Sequence, residues 1–224
     1  DALNAKNALS RTKGQEQLRQ ANVSLFGTIK PNKTSFSLSA GLASQYFSSN
    51  IYAVLPGGVV FAEPLRQPLD RWNISGRIDH VIRKDHAIRI SYDRSESEQR
   101  NLGVGEYNLP SRRYANESAT NMLRLSENGP LGRRFFTESR LQVRWSDSSS
   151  VSSVEETTIR VNDAFTSGGA QMRGGRQDVV FEAATDLDYV RGSHSWRLGV
   201  LVEGGQYTSD DTSNYLGTYT FASL

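Results

Sequence analysis

Residues Ala184–Tyr207 read ATDLDYVRGSHSWRLGVLVEGGQY, and this stretch has the pattern of one β-hairpin. On the way in, Phe181, Ala183, Leu187 and Tyr189 alternate with Glu182, Asp186 and Asp188. On the way out, Trp196, Leu198, Val200 and Val202 alternate with Arg197, Gly199 and Glu203. Gly192-Ser193 suits a two-residue turn. Placing that pair at the tip sets Arg191 against His194, Tyr189 against Trp196, Leu187 against Leu198 and Asp188 against Arg197. Each such pair is worth only ~0.2–1 kcal/mol. Their agreement fixes the register, because a slip of one residue would turn every side chain to the wrong face.

The same pattern recurs upstream. Val23, Leu25, Gly27 and Ile29 share a face, Lys30-Pro31-Asn32-Lys33 turns, and Phe36, Leu38, Ala40 and Leu42 return. Trp72, Ile74, Gly76 and Ile78 lead to a tip at Arg83-Lys84-Asp85, and Ile88, Ile90 and Tyr92 return. This register sets Ile78 against Ile90 and Asp79 against Arg89. Leu123 and Leu125 lead to Asn128-Gly129-Pro130-Leu131-Gly132, and Phe135, Leu141, Val143 and Trp145 return. Polar residues fill Asp1–Gln20, Ser44–Asp70, Ser95–Ala119, Asp147–Gln177 and the stretch from Thr208 onward, all expected to be loops. Short strands are expected inside two of them, at Thr158–Val161 and Thr218–Phe221. The fold class is therefore all-β, an antiparallel up-and-down meander of about eight strands in four hairpins.

Short turns at one end and long connections at the other mark an outer-membrane barrel more than a soluble sandwich. The apolar faces agree with this. Phe36, Phe135, Tyr189 and Trp196 lie near the short turns, and Tyr46, Trp72, Tyr92, Trp145 and Tyr207 are placed near the long connections. Aliphatic residues lie between, as expected of an acyl band with aromatic rims at two interfaces. The rim residues are thus Trp72, Tyr92, Trp145, Tyr189, Trp196 and Tyr207. The opposite faces carry Arg77, Asp79, Arg89, Asp93, Arg140, Arg144, Glu182, Asp186, Asp188, Arg197 and Glu203, expected to line a lumen. Composition taken alone favours an ordinary sheet with one solvated face, since hydrophobic residues are 37% and mean hydropathy is −0.53.

Other classes find little support. The net charge of +2 comes from 26 basic and 24 acidic residues without a basic run, so no nucleic-acid partner is expected. The chain has no cysteine, which excludes disulfides and thiolate chemistry. No nucleophile, phosphate-loop or zinc-protease motif occurs. Gly103-Val104-Gly105 lacks a strand–helix context, and His80, His86 and His194 are read as solvated residues beside turns. Asp186 and Asp188 share a strand face and are expected to pair with lumen arginines, Arg197 among them. Asp210-Asp211 is the one segment weighed for a loop Ca²⁺. Four Asn-x-Ser/Thr triplets, at Asn22, Asn32, Asn73 and Asn116, are read as chance in a Ser-rich chain. No catalytic residue, cofactor or metal ligand is assigned, and no enzyme is expected.

Three segments carry a family resemblance: Trp72–His80 (WNISGRIDH), Leu187–Gly199 (LDYVRGSHSWRLG) and Asp210–Phe221 (DDTSNYLGTYTF). Asn22–Phe36 adds a matching strand, turn and strand. Together they resemble TonB-dependent outer-membrane receptors, in particular the Oar-like group with a carboxypeptidase-regulatory-like N-terminal domain. The resemblance implies a Gram-negative outer membrane, a barrel of about 22 strands with a plugged lumen, and a TonB complex acting on a TonB box. Residues 1–224 show neither a plug nor a TonB box, and are expected to be part of the barrel domain of a longer protein. The expected partners are outer-membrane lipid, the TonB complex through parts not present here, and an unidentified extracellular ligand. A structural or adhesive barrel and a soluble all-β binding domain remain open beside this reading.

Overall fold

Four tight turns set the architecture, and each contains a residue in the left-handed region: Asn32 (φ 55°), Asp85 (φ 64°), Gly132 (φ 75°) and Gly192 (φ 61°). Asn, Asp and Gly are the types that reach this region most easily. The computed structural model describes residues 14–83 and 85–224. Around the turns run β1 (Gln17–Lys30) and β2 (Thr34–Asn50), then a small hairpin of β3 (Ala53–Leu55) and β4 (Val59–Phe61). Next come β5 (Pro64–Arg83) and β6 (His86–Leu102), followed by β7 (Tyr114–Leu131) and β8 (Phe135–Ser152). The short β9 (Thr158–Val161) and β10 (Phe165–Ser167) precede β11 (Met172–Arg191) and β12 (His194–Ser209). Two short strands, β13 (Thr212–Ser213) and β14 (Thr218–Phe221), complete the set.

The main sheet is an antiparallel meander in the order β1-β2-β5-β6-β7-β8-β11-β12, with β13 paired to the start of β11. The last hairpin has the expected register, with Arg191 opposite His194, Tyr189 opposite Trp196, Leu187 opposite Leu198 and Asp188 opposite Arg197. Ile78 faces Ile90 and Asp79 faces Arg89. The short strands at Thr158–Val161 and Thr218–Phe221 also form, and they pair in parallel.

The long connections are shorter than the sequence reading gave. β2 and β5 pair through Asn50 and Pro64, β6 and β7 through Leu102 and Tyr114, and β8 and β11 through Val151 and Arg173. Much of the expected loop is therefore strand. Both faces of these extensions carry polar residues, so they lack the alternation that marks a half-buried strand. At the start of the chain, β1 already begins at Gln17, while residues 1–13 of the expected loop lie outside the described residues, as does Lys84 at the second tip. The third turn is at Gly132–Arg134, later than expected. Asn128-Gly129 has the composition of a turn, yet Gly129 sits in β7 opposite Thr137. A Cβ there would lie 2.7 Å from the His86 Cα, so a close approach to β6 accounts for the glycine.

Among the described residues no second layer covers the main sheet. The buried apolar residues gather at the long-connection end, where Ile51, Ala53, Val104, Val161, Ala164 and Phe165 form one small cluster. Backbone hydrogen bonds tie the connections together there, from Tyr52 N to Glu106 O (2.7 Å), Val54 N to Ala164 O (3.0 Å) and Leu109 N to Thr166 O (2.9 Å). The connections form a joint cap. It leans over the polar face, since the Ser49 hydroxyl donates to Val104 O at 2.8 Å and Gln67 Nε2 to Asn101 O at 3.1 Å.

At the fourth turn a Cβ on Gly192 would meet no atom within 4 Å, so the demand for glycine is conformational. Gly192→Val should lower stability by about 1–3 kcal/mol, and Ser193→Val should change it far less. Urea unfolding of the two variants would check the difference.

An apolar band and a charged face as the candidate functional site

The ladders assign every long-strand residue to one of two faces. One row runs through Thr34, His80, Ile88, Glu127, Ser139, Thr185 and Val200. Thr34 is itself the last pair at the first turn, whereas the last pair at the fourth turn, Arg191–His194, lies six residues beyond Thr185 and Val200. The turns therefore step by about one residue per strand. At ~3.3 Å per residue and ~4.8 Å between strands, that slope is about 35°. Barrel strands tilt by about 35–45°.

The turn-side aromatics follow this slope. Relative to that row, Phe36 on β2 lies two residues toward the long connections, while Phe135, Tyr189 and Trp196 lie four residues toward the short turns. On the other side, Trp72 lies eight residues from the row, Trp145 six and Tyr92 four. β8 carries both rims, and Phe135 and Trp145 are ten residues apart. That is ~33 Å along the strand, or ~27 Å along an axis tilted by about 35°, close to the ~25 Å band of outer-membrane barrels.

Between the rims this face carries no charge at its centre. Leu25, Leu38, Ile78, Ile90, Leu125, Leu141, Val200 and Leu198 lie there, and Leu141 is 43% and Leu198 69% exposed. Charges return at the margins: Asp70, Arg94, Glu96, Glu98, Glu117 and Asp147 toward the long connections, and His80 and His86 toward the turns. One acid lies inside the turn-side rim: Glu127, opposite Ser139 and four residues from the level of Phe135, pairs with His86 Nε2 at 2.6 Å. The Trp72 indole N–H donates to Glu96 Oε2 at 2.9 Å and the Tyr92 hydroxyl to Asn121 Oδ1 at 2.8 Å. Each ring thus joins an apolar body to a polar rim. The Tyr92 and Trp145 rings lie 6.2 Å apart, and those of Phe135 and Tyr189 4.9 Å apart.

The opposite face brings the predicted charged residues together in pairs. Asp79 lies between Arg77 (3.0 Å) and Arg89 (2.6 Å), Arg140 meets Glu182 at 3.0 Å, and Arg144 meets Asp178 at 3.3 Å. Arg197 reaches Asp186 at 3.2 Å, Asp188 at 3.8 Å and Glu138 at 3.7 Å. Exposed pairs like these are each worth about 0–1 kcal/mol. Their arrangement is a wettable wall with its charges matched.

One rim assignment is corrected. Tyr207 pairs with Asp178 on the charged face, and the Arg176 guanidinium lies 5.4 Å from its ring. Trp196 and Tyr207 are an odd number of residues apart in an unbroken strand, which puts them on opposite faces. The remaining candidates do not converge. Thr34 Oγ1 and His80 Nδ1 are hydrogen-bonded at 2.9 Å, and Asp210 Oδ1 accepts from the Gly175 N–H at 2.7 Å. Among the described residues no three His, Asp or Glu side chains gather as metal ligands. Sequence reasoning missed a polar cluster in the cap. Thr158 Oγ1 accepts from Arg112 Nη1 at 2.6 Å and from Gln171 Nε2 at 2.8 Å, and it donates to Gly169 O at 3.0 Å. No protein-family model, curated protein or solved structure matches the chain.

Arg197 on the last hairpin lies within 4 Å of three acids, Asp186, Asp188 and Glu138. Arg197→Met should lower stability slightly, and the loss should shrink in about 1 M salt, where screening weakens both the attraction and the remaining repulsion. Unfolding curves at two salt concentrations would check this.

Proposed function

We propose that this chain is a section of the wall of an outer-membrane β-barrel of the TonB-dependent receptor kind, serving uptake of an extracellular ligand. The observation that carries the membrane part is the apolar band, uncharged at its centre and of bilayer height between its aromatic rims, whose turn-side aromatics fall on one level once the register slope is allowed for. A soluble sheet has no reason to end its apolar face at two aromatic rims and then resume charge on that same face. The receptor kind is supported by the segments Trp72–His80, Leu187–Gly199 and Asp210–Phe221, which resemble the Oar-like group.

In this reading the band faces outer-membrane lipid and the charged face lines the lumen. The short turns lie on the periplasmic side and the cap outside, where it meets the ligand first. The chain contributes binding surface and a wall for gated passage, and no bond is made or broken. Energy comes from a TonB complex acting on parts of the protein outside these residues.

Two measurements test the reading. The full-length protein should fractionate with the outer membrane, and recovery in the soluble fraction would overturn the proposal. The chain's three tryptophans, Trp72, Trp145 and Trp196, all lie at the rims. Lipids brominated near the headgroup should therefore quench their fluorescence more than lipids brominated at the chain ends. A second prediction separates the faces. In vesicles, Leu141→Arg should cost about 2–4 kcal/mol, while Gln142→Arg, one residue on, should be near neutral. Equal costs for the two changes would contradict the assignment of faces.

A further inference from the structure

The basic residues of this chain fall into two groups. Those of the wall are matched: Arg77, Arg89, Arg140, Arg144 and Arg197 each lie within 4 Å of an acid. Those of the short turns are not. Lys30 and Lys33 flank the first turn, Arg83 and Lys84 open the second, Arg133 and Arg134 lie in the third, and Arg191 opens the fourth. Asp85 is the one acid among them. Seven cations against one acid give these segments a net charge of +6 in a chain of net +2, which leaves −4 for the rest. Among the described residues the turn cations are exposed, and none of them forms an ion pair.

Their placement repeats from hairpin to hairpin. The turns step with the register slope, so in a tilted wall they come to one level. Neighbouring turns are two strands, or ~10 Å, apart, and the four make a row ~30 Å long. Backbone bonds tie two of them to the next strand: Val81 N donates to Lys33 O at 2.7 Å and Val190 N to Arg134 O at 2.8 Å. Each turn is entered from an exposed apolar residue, Ile29, Ile82, Leu131 or Val190. A long basic side chain can lay its stem along such a residue and keep its charge in water. On the band face Phe135, Tyr189 and Trp196 lie just inside this level. Going outward from the band, the order is aliphatic, aromatic, cationic.

We propose that the four short turns bind the anionic headgroups of the membrane leaflet on their side. The proposal rests on the membrane reading above and adds the lipid to it: a phospholipid of net negative charge. A row of cations one turn deep, along the edge of a wall, matches an extended charged surface, whereas an acidic protein calls for a compact patch. Each Lys or Arg near such a surface adds attraction, which falls off within a Debye length and weakens with salt.

The test uses the full-length protein in phosphatidylcholine vesicles that carry a trace of spin-labelled phosphatidylglycerol or spin-labelled phosphatidylcholine. The fraction of label immobilised by the protein gives the preference between the two. Phosphatidylglycerol should be held severalfold better, and about 1 M salt should reduce this. Arg83→Gln, Arg133→Gln, Arg134→Gln and Arg191→Gln together should lower the preference about twofold or more. These side chains are exposed and unpaired, so the variant should fold. Arg160→Gln, exposed on the cap at the other end, should leave the preference unchanged. Equal immobilisation of both lipids by the wild type would overturn the proposal alone, and would leave an acidic protein as the occupant of the turns. A preference that survives the fourfold variant, or falls equally with Arg160→Gln, would overturn it as well. If neither lipid is immobilised, the membrane reading fails and this proposal fails with it.

Discussion

A sheet with no second layer is held by its backbone ladders, and in this chain nearly everything depends on their register. Sixteen consecutive pairs join β11 to β12 without a shift, from Arg176–Ser209 to Arg191–His194. β7 and β8 pair without a shift from Tyr114–Ser152 to Leu131–Phe135. Because side chains alternate with a period of two, these runs hold Leu141, Val143, Leu198 and Val200 on one side and Arg140, Arg144, Asp186 and Arg197 on the other. The three register shifts all fall near strand ends, at Thr28/Lys30, Val81/Arg83 and Gln99/Leu102. The band is therefore crossed by unbroken strand.

Register also explains why the band is finite. Beyond Trp72 and Trp145 the strands continue, but Asp70 and Asp147 replace apolar residues on the same face. Backbone pairing does not need an apolar face, so the ladder outlasts the band by several residues toward the cap. There the first true core of the protein begins, with Ile51, Val104 and Phe165 supplied by three different connections. Two kinds of stabilisation thus divide the molecule. Hydrogen-bonded ladders carry the wall, and burial of a few apolar side chains joins the connections into one cap.

How legible this was follows from the same division. Where one face is apolar and the other charged, alternation is visible in the sequence, and the registers of the second and fourth hairpins could be written residue by residue. Where both faces are polar, as in Ser95–Gln99, an extended strand and a loop have the same composition. Ser97 and Ser118 bond across β6 and β7 at 3.0 Å, yet nothing in the sequence announces the pair. Tyr207 differs for another reason: its distance from the turn suits a rim, but the parity of its position in β12 sets it on the charged face opposite Asp178. The cap cluster of Arg112, Thr158 and Gln171 could not be seen, because those residues meet only when separate connections fold together.

The proposed membrane reading rests on surface physics. A soluble monomer rarely exposes a contiguous apolar patch beyond a few hundred Å², whereas this face crosses all eight long strands with Val23 71%, Leu38 51%, Ile78 47% and Val202 52% exposed. Among the described residues β1 and β12 each pair on one side only, so the sheet also presents two long open edges. Such edges are sites of aggregation in water unless Pro, Lys or bulges blunt them, and closure into a barrel abolishes them. β12 contains no Pro and no Lys and has no bulge against β11. In the proposed reading, lipid against the face and further strands along the edges would meet both demands together, whereas a second sheet would cover the face and leave the edges open.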